Sequence, residues 1–447
     1  MVETEIEIQQ ETAVFQQEQP RNNGWQGLKD VLTVRDFRWL WLGEGISLLG
    51  DQFGLIALPW LVLRLTGDAF AMGTVLAVAG IPRAIFMLFG GALTDRFSPR
   101  KLMLLTNIAR MILVTVLASA ILSNVVQLWM IYLFALLFGL ADAFFYPAAS
   151  AIVPAILPKN QLQIGNSITQ GTAQLSVFLG PVLAGAIIAL FSATGVNGED
   201  VPDLRGIGIA FALDAITFLL SALTLKLMRP TKIAASDAAQ SVLQSIKEGL
   251  AYVWQDATLR TVFIIVAALT VLSVAPLTIG IPVLADERMP DGAASFGLLL
   301  SAYGGGALIG IILSGVLPKP PQAQLGTYLF TAVTGMGIFM AGLAFAQTML
   351  VAGGLLFFTG VLDGWVIIQF TTWLQMRSPE ALLGRIMSLL MFSFVGLAPV
   401  ADTFFGALIE WNYTAVVFSA GMGLAAIAFY AAFQPNIRNM GEIAVTD

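Results

Sequence analysis

The sequence predicts an all-α membrane protein with twelve transmembrane helices in two six-helix halves. The first reason is composition: 57% of the 447 residues are hydrophobic and only 11% are charged, unlike soluble domains. The second is that apolar runs of about 20 residues recur, each long enough to cross a hydrocarbon core of about 30 Å. Backbone groups in lipid must pair within their own segment, so these runs are helices. The third reason is an internal repeat.

The second half of the chain repeats the first at an offset of 221 to 224 residues. Such a repeat predicts two parallel six-helix halves, related by an axis along the membrane normal, with a binding site at mid-depth between them. The glycines also suit close helix packing, which small residues permit in lipid. The equivalent positions are Gly73 and Gly297, Gly80 and Gly304, Gly91 and Gly315, Gly139 and Gly360, Asp142 and Asp363, and Pro59 and Pro282.

The apolar runs divide the chain into five regions. We expect a cytoplasmic acidic tail and interfacial segment over 1–36, a first six-helix half over 37–228, and a second over 261–433. Residues 229–260 form a cytoplasmic linker whose apolar residues recur at helical spacing, which predicts an amphipathic surface helix. Residues 434–447 form a cytoplasmic tail.

The distribution of basic residues predicts the orientation. Of 22 Lys and Arg, only Arg64, Arg205 and Arg288 fall on the side opposite the termini, and Arg83 and Arg110 lie inside spans. The other 17 lie on the side of the termini. The positive-inside rule therefore makes both termini cytoplasmic.

The residue types that are absent exclude several kinds of chemistry. The chain has no cysteine and no histidine, which excludes disulfides, thiol catalysis, Cys/His zinc sites and histidine proton relays. No Walker A pattern occurs, so a P-loop ATP site is excluded as well. A proton carrier in this chain must be a carboxylate.

One loop carries a family signature. The stretch after the second span reads Gly91-Ala-Leu-Thr-Asp95-Arg96-Phe-Ser-Pro-Arg100-Lys101. It resembles motif A of the major facilitator superfamily, in which a glycine, an aspartate four positions later and a group of basic residues follow the second span. The resemblance implies the major facilitator fold, with this loop acting as a cytoplasmic latch.

A second signature lies in the fifth span. Gly180-Pro181-Val-Leu-Ala-Gly185 is similar to the core of motif C, which the family associates with exporters that exchange substrate for protons. A proline inside a membrane helix bends it and frees a carbonyl, which suits a helix that rocks. Packing of a kinked helix is the alternative.

Other stretches resemble the branch of macrolide and multidrug efflux pumps and enterobactin-type siderophore exporters, namely Leu49-Gly-Asp51, Ile81-Pro-Arg83, Leu213-Asp214-Ala-Ile-Thr-Phe218 and Gly384-Arg385-Ile-Met-Ser388.

Charges inside the first spans are candidates for the transport path. A charge at mid-bilayer costs at least about 2.5–3.5 kcal/mol, so each needs a partner or a function. Asp51 and Arg83 lie near the middle of the first two spans, and we expect them to pair, either as a proton-coupled switch or as a static salt bridge. Glu44 lies about two turns before Asp51 on the same face, in the same path or at the cytoplasmic mouth.

Further charges lie in later spans. Arg110 of the third span and Asp142 of the fourth, a span expected at about 126–149, have similar depths. Asp142 pairs either with Arg110 or with the motif A arginines, and sequence leaves both open. Asp363 repeats Asp142 in the second half. Asp214 and Asp402 are expected nearer the outer surface, as solvated or helix-capping groups.

The resemblance implies a proton-driven exporter of drug-like or siderophore-like small molecules that works by alternating access. Its expected partners are the substrate, protons and the lipid bilayer. We expect a monomer in the inner (plasma) membrane, with no cofactor, metal, ATP or nucleic acid. A proton-coupled importer is the alternative within the class. A non-transporting sensor or an intramembrane enzyme is the alternative from another class, but an enzyme needs clustered catalytic groups, whereas these charges are scattered over several helices.

Overall fold

The computed structural model describes residues 24–96, 98–158, 161–192, 204–229, 242–289, 291–318, 320–321, 324–378, 382–438 and 440. Within these ranges, the side chains of 24–26, 88–96, 242–247, 249, 383–385, 388, 391 and 395 lie outside the description. Residues 1–23 of the expected acidic tail and interfacial segment over 1–36 fall outside the described residues too.

The described chain is built from helices. Eleven of them are long and apolar enough to cross a membrane. The elements of the first half are α1 (Gly24–Thr33), α2 (Arg35–Thr66), α3 (Ala69–Arg96), α4 (Pro99–Leu122), α5 (Leu128–Ile156), α6 (Leu162–Phe191) and α7 (Arg205–Leu227). Those that follow are α8 (Val242–Gln255), α9 (Ala257–Ala275), a π-helical turn (Pro276–Gly280), α10 (Ile281–Arg288), α11 (Ala293–Val316), α12 (Leu325–Leu343), α13 (Met349–Arg377), α14 (Leu383–Ala432) and α15 (Pro435–Arg438).

Helix α14 crosses the membrane region twice. Its 50 residues contain a break at Asn412, whose backbone is extended (φ −160°, ψ 96°). Its first arm packs antiparallel to α3, and its second arm packs antiparallel to α12. Helices α3 and α12 run in opposite directions. The two arms therefore also run in opposite directions, and the chain reverses at the break. One of the eleven long apolar helices is therefore broken into two arms, and the expected number of twelve crossings stays a prediction. The contacts that set these directions are Gly73 with Asp402, Gly406 with Ala69, Gly421 with Ala341, and Gly337 with Ala425.

The internal repeat is visible in helix packing. Gly139 of α5 lies against the backbone carbonyl of Ala79 in α3, and Gly360 of α13 lies against that of Tyr303 in α11. Gly139 and Gly360 are 221 residues apart, and Ala79 and Tyr303 are 224 residues apart. These are the same offsets that the repeat has in sequence. Each glycine is required because a side chain there would overlap the neighbouring backbone, so the repeat encodes the same close helix crossing in each half.

The two halves meet along two related seams. In one, Gly73 of α3 packs on the backbone of Asp402 in α14; in the other, Gly297 of α11 packs on that of Pro181 in α6. The Ser301 hydroxyl accepts a hydrogen bond from a backbone N–H of α6 across the second seam, at 3.0 Å. These contacts lie toward the face where α2 ends, which we call the far face. The halves are therefore closed against each other there.

The opposite face, which we call the near face, holds α1 and α15. Gly27 of α1 lies against Ile164 at the start of α6, and Gly326 at the start of α12 lies against Ile437 of α15.

Helix α8, in the region where an amphipathic linker helix is expected, leads directly into α9. Asp256 caps α9 by accepting hydrogen bonds from the Thr258 and Leu259 N–H groups.

Candidate functional site

A buried arginine forms the centre of the first half. Arg110 of α4 is 1% exposed, and its guanidinium forms an ion pair with Asp142 of α5. Three aromatic rings surround the same guanidinium, at 3.9 Å for Phe145, 5.5 Å for Phe218 and 5.7 Å for Phe138. A desolvated cation is stabilised by the faces of such rings, by up to about 2 kcal/mol each. The charge of Arg110 is thus held at mid-depth in an apolar shell.

Asp142 also lies beside a second arginine. Arg83 of α3 approaches its other carboxylate oxygen to 3.6 Å. The expectation that Arg83 pairs with Asp51 is therefore wrong, because α3 packs on α5 through the Gly139 crossing and this brings Arg83 to Asp142. Helix α5 also continues to Ile156, seven residues beyond its expected end, so Asp142 lies at its middle. Of the two partners considered for Asp142, the structure shows Arg110.

Three more carboxylates lie near this pair. Arg110 is within electrostatic range of Glu44 and Asp51, both on α2. Asp214 of α7 is 1% exposed and lies against α2 at Gly50. The expectation that Asp214 is solvated or capping is wrong, since the tight packing of α7 on α2 at Gly50 buries it. Its Oδ1 accepts a hydrogen bond of 3.2 Å from the Thr217 hydroxyl.

We call these six side chains the central charge cluster. It contains four carboxylates and two guanidiniums, so with all groups ionised its described members carry a net charge of minus two. An unpaired charge at this depth is costly. Protonation of a carboxylate removes its charge, so the cluster can take up and release protons. Its members are Glu44, Asp51, Arg83, Arg110, Asp142 and Asp214.

A cavity connects with this cluster on its near-face side. It has an empty volume of about 380 Å³, including space open to the surroundings, and is lined by residues of α2, α4, α5 and α6. Glu44 is one of its lining residues, and Trp41 beside it donates a hydrogen bond of 2.8 Å to the Thr172 hydroxyl. Glu44 therefore belongs to the central charge cluster and also lines the cavity.

The motif A loop is described only in part. The structure describes Gly91, Asp95 and Arg96 by their backbone only. The guanidinium of Arg100 donates hydrogen bonds to the carbonyls of Leu225 (2.7 Å) and Lys226 (2.9 Å) at the end of α7, and Lys101 is exposed. A basic residue at a helix C-terminus is stabilised by the partial negative charge there. Arg100 thus ties α4 to α7 within the first half.

The motif C residues lie at the seam between the halves. Gly180 packs against Gln52 of α2, while Pro181 and Gly185 pack against α11 at Gly297 and Ala293. The described role of this motif is a close contact of α6 with both halves. These contacts show close packing at Pro181, and rocking of the helix stays a prediction.

The second half contains an apolar cavity with one carboxylate. Its empty volume is about 740 Å³, and its walls come from α9, α12, α13 and α14. Asp363 of α13, the repeat equivalent of Asp142, lines it and accepts a hydrogen bond of 2.9 Å from the Tyr303 hydroxyl. Among the described residues of this half, no arginine is found beside Asp363 of the kind that faces Asp142.

Asp402 lies toward the far face but is not solvated. It is 5% exposed, and its carboxylate accepts a hydrogen bond from the Thr278 hydroxyl in the π-helical turn. It is buried because the first arm of α14 packs between α3 and this turn. The expectation of a solvated or capping role is therefore wrong for Asp402.

Sequence reasoning missed two features of the site. Asp214, expected nearer the outer surface as a solvated or capping group, is the only charged residue in an apolar run, and this isolation is the signal in the sequence that indicates burial. The aromatic shell of Arg110 carried no signal, because phenylalanines are common throughout the chain and most face lipid or other helices. Tyr146, which lies within electrostatic range of Arg110 and Asp142, belongs to the same surroundings.

A membrane domain of two related helical halves that meet along paired helix seams, with charges buried at mid-depth in one half, is typical of secondary transporters. Residues 40–401 match the Major Facilitator Superfamily, and the chain belongs to this family. It is therefore a transporter and not an enzyme.

Among characterised proteins, several exporters are similar. The multidrug efflux pump Tap of Mycolicibacterium fortuitum is 24% identical over 401 residues, which cover 88% of this chain and 93% of Tap. The enterobactin exporter EntS of Escherichia coli O81 (strain ED1a) is 28% identical over 360 residues, covering 78% and 79%. The macrolide efflux protein A of Streptococcus pyogenes is 21% identical over 312 residues, covering 69% and 71%.

Solved structures show the same fold. An inward-facing bacterial homologue of the iron transporter ferroportin superposes with a TM-score of 0.68 at 15% identity, covering 90% of this chain and 100% of the homologue. An inward-facing bacterial homologue of the lysosomal transporter Spinster gives 0.66 at 15% identity, covering 92% and 97%. At these identities the likeness concerns the fold.

Proposed function

We propose that this protein is a proton-coupled exporter of drug-like or siderophore-like small molecules. The observation that carries the proposal is the central charge cluster, which holds more carboxylates than guanidiniums at mid-depth of the first half. Proton uptake by one carboxylate balances part of the excess charge, and substrate movement can be coupled to that step. The similar exporters Tap, EntS and macrolide efflux protein A support the direction of transport.

Arg110 is the group through which protonation is sensed. In the described state it is paired with Asp142, and Asp51 lies within its electrostatic range. When Asp51 is ionised it competes with Asp142 for the guanidinium, and when it is protonated the competition ends. Because α2, α4 and α5 carry these three residues, a change of partner alters the force between helices of the first half.

Glu44 is the exit for the proton. It borders the cavity on the near-face side and lies about two turns from Asp51 along α2. We place the near face in the cytoplasm, in the inner (plasma) membrane, because the positive-inside rule assigns the termini there. The far face is then external, and the described state, with the far ends of the halves in contact, is inward-facing. The protein acts as a monomer, with the cavities inside one chain.

Cellular accumulation tests the proposal. A panel of dyes, macrolides and siderophores is supplied to cells that express wild type, Asp51→Asn, Asp51→Glu or an empty vector, with and without a protonophore. Wild type lowers accumulation of at least one compound, and both the protonophore and Asp51→Asn abolish the effect at equal protein level. Asp51→Glu, which keeps a carboxylate, retains part of it. Undiminished export by Asp51→Asn rules out this coupling role, and increased accumulation with wild type means import.

A further inference from the structure

The geometry points to the second-half cavity as a binding site for apolar cations, in which Asp363 supplies the counter-charge. We define the second-half cavity by its described walls on α9, α12, α13 and α14. This inference rests on the proposed transport function and narrows its substrate class. It assigns substrate binding to the second half and proton handling to the first.

The lining of the cavity has the character of a ligand site, mostly apolar with a few polar groups. Its empty volume, including space open to the surroundings, is about 740 Å³. Leucine, isoleucine, valine, phenylalanine and methionine side chains form most of its wall, and Thr270 and Ser273 add hydroxyl groups. An apolar molecule with a few polar groups fits such a surface.

Asp363 is the one charged side chain among the described lining residues. Tyr303 donates a hydrogen bond to its Oδ2 at 2.9 Å, which orients the carboxylate. Within the described residues no Lys or Arg forms an ion pair with it, whereas its repeat equivalent Asp142 lies between two arginines. A carboxylate in an apolar wall is stabilised when a bound cation takes the place that an arginine has elsewhere.

The aromatic residues of the wall also favour a positively charged ligand. Phe330, Phe370 and Phe394 line the cavity together with Met336. The faces of aromatic rings attract cations, and methionine adapts its shape to different apolar ligands. A carboxylate and several ring faces together select for positive charge on a lipophilic body, and they disfavour anionic chelators of similar size.

The charge selectivity can be measured by binding, without any gradient. Purified full-length protein in detergent is equilibrated with radiolabelled tetraphenylphosphonium or with tetraphenylborate, which has nearly the same shape and the opposite charge. Protein-free micelles give the background. Wild type is expected to bind the cation about tenfold or more tightly than the anion, the ratio that corresponds to about 1.4 kcal/mol.

Variants assign the selectivity to Asp363. Asp363→Asn is expected to weaken tetraphenylphosphonium binding about tenfold or more, while tetraphenylborate binding is kept or strengthened, which also shows that the variant is folded. Asp363→Glu restores preference for the cation. Asp402→Asn, which removes a carboxylate outside the cavity and can still accept the Thr278 hydrogen bond, keeps wild-type selectivity.

Two results overturn the inference. One is unchanged tetraphenylphosphonium affinity in Asp363→Asn, and the other is equal or weaker binding of the cation than the anion by wild type. Proton-driven export that persists alongside either result leaves the proposed function standing and removes only the substrate class. Selective cation binding without proton-driven export overturns the proposed function and leaves the inferred binding site standing.

Discussion

The Arg64 guanidinium lies 3.5 Å from the Asp286 carboxylate, and this pair joins the far ends of the two halves. The guanidinium also lies over the Trp60 ring at 4.9 Å, and Trp60 in turn stacks on Phe296 of α11 at 6.3 Å. The ion pair and the ring stack thus cross the seam between the halves, while the cation–π contact within α2 orients Arg64. Opening the far face requires that the ion pair and the ring stack separate.

Removing this ion pair is expected to favour opening of the far face. Because the chain has no cysteine, a single Ala293→Cys, buried beside Gly185 at the seam, reports opening through its rate of thiol labelling. Arg64→Gln is expected to raise that rate about 2- to 5-fold, since partly exposed pairs contribute about 0.5–1 kcal/mol. The exchanged pair Arg64→Glu with Asp286→Arg returns the rate toward wild type. A wild-type rate in Arg64→Gln would show that the pair does not hold the seam.

The ion pair of Arg110 and Asp142 is expected to matter more for function than for stability. Asp142→Leu leaves Arg110 without its closest anion, which costs about 3–5 kcal/mol of unfolding free energy for a buried pair. The double variant Arg110→Leu with Asp142→Leu removes both charges and recovers at least half of that loss, as measured by unfolding in detergent. Transport stays absent in both. A double variant that is less stable than Asp142→Leu contradicts this account.

Asp256 is expected to give α9 a pH-dependent contribution to stability. Burial alone raises the pKa of Asp256, but hydrogen bonds from the Leu259 N–H and from Arg377 outweigh it and lower the pKa below the ordinary value of 3.8. The carboxylate therefore stabilises the folded protein above pH of about 3.8, and this contribution is lost as pH falls through the lowered pKa.

The measurement compares wild type with Asp256→Ala at pH 7 and at pH 3. At pH 7 the variant is less stable by about 0.5–1 kcal/mol, the value of a partly exposed helix cap. At pH 3 the difference shrinks. Arg377→Gln, which removes one donor and keeps the backbone cap, retains part of the pH 7 contribution. A difference that grows toward low pH would contradict the lowered pKa.

The repeated glycines are expected to be intolerant of a methyl group. Gly139→Ala and Gly360→Ala each place a Cβ against a backbone carbonyl of the neighbouring helix, and overpacking of this kind costs about 1–3 kcal/mol. Gly353→Ala is the matched control, since nothing lies within 4 Å of its added Cβ and alanine favours a helix. Thermal unfolding midpoints should fall for the first two variants and stay or rise for the third. Equal effects at all three positions would mean that the crossings are looser than described.

The sequence by itself determined the helical membrane fold, the two related halves and the presence of mid-span charges. Hydrophobic length and the pairing of backbone groups in lipid act locally along the chain, and the repeat is visible as matching residues. The family could be identified for the same reason, because its signatures lie in short continuous stretches such as the motif A loop.

The tertiary structure alone decided which charges meet. Arg83 lies beside Asp142 and not Asp51, and Asp214 is buried against Gly50 and not solvated, because helix rotation, the glycine crossings and the true ends of α5 set these distances. None of these quantities is encoded in residue spacing within one span. The physical reason is that lipid-facing and protein-facing sides of a membrane helix are both apolar, so periodicity does not show which side faces a neighbour.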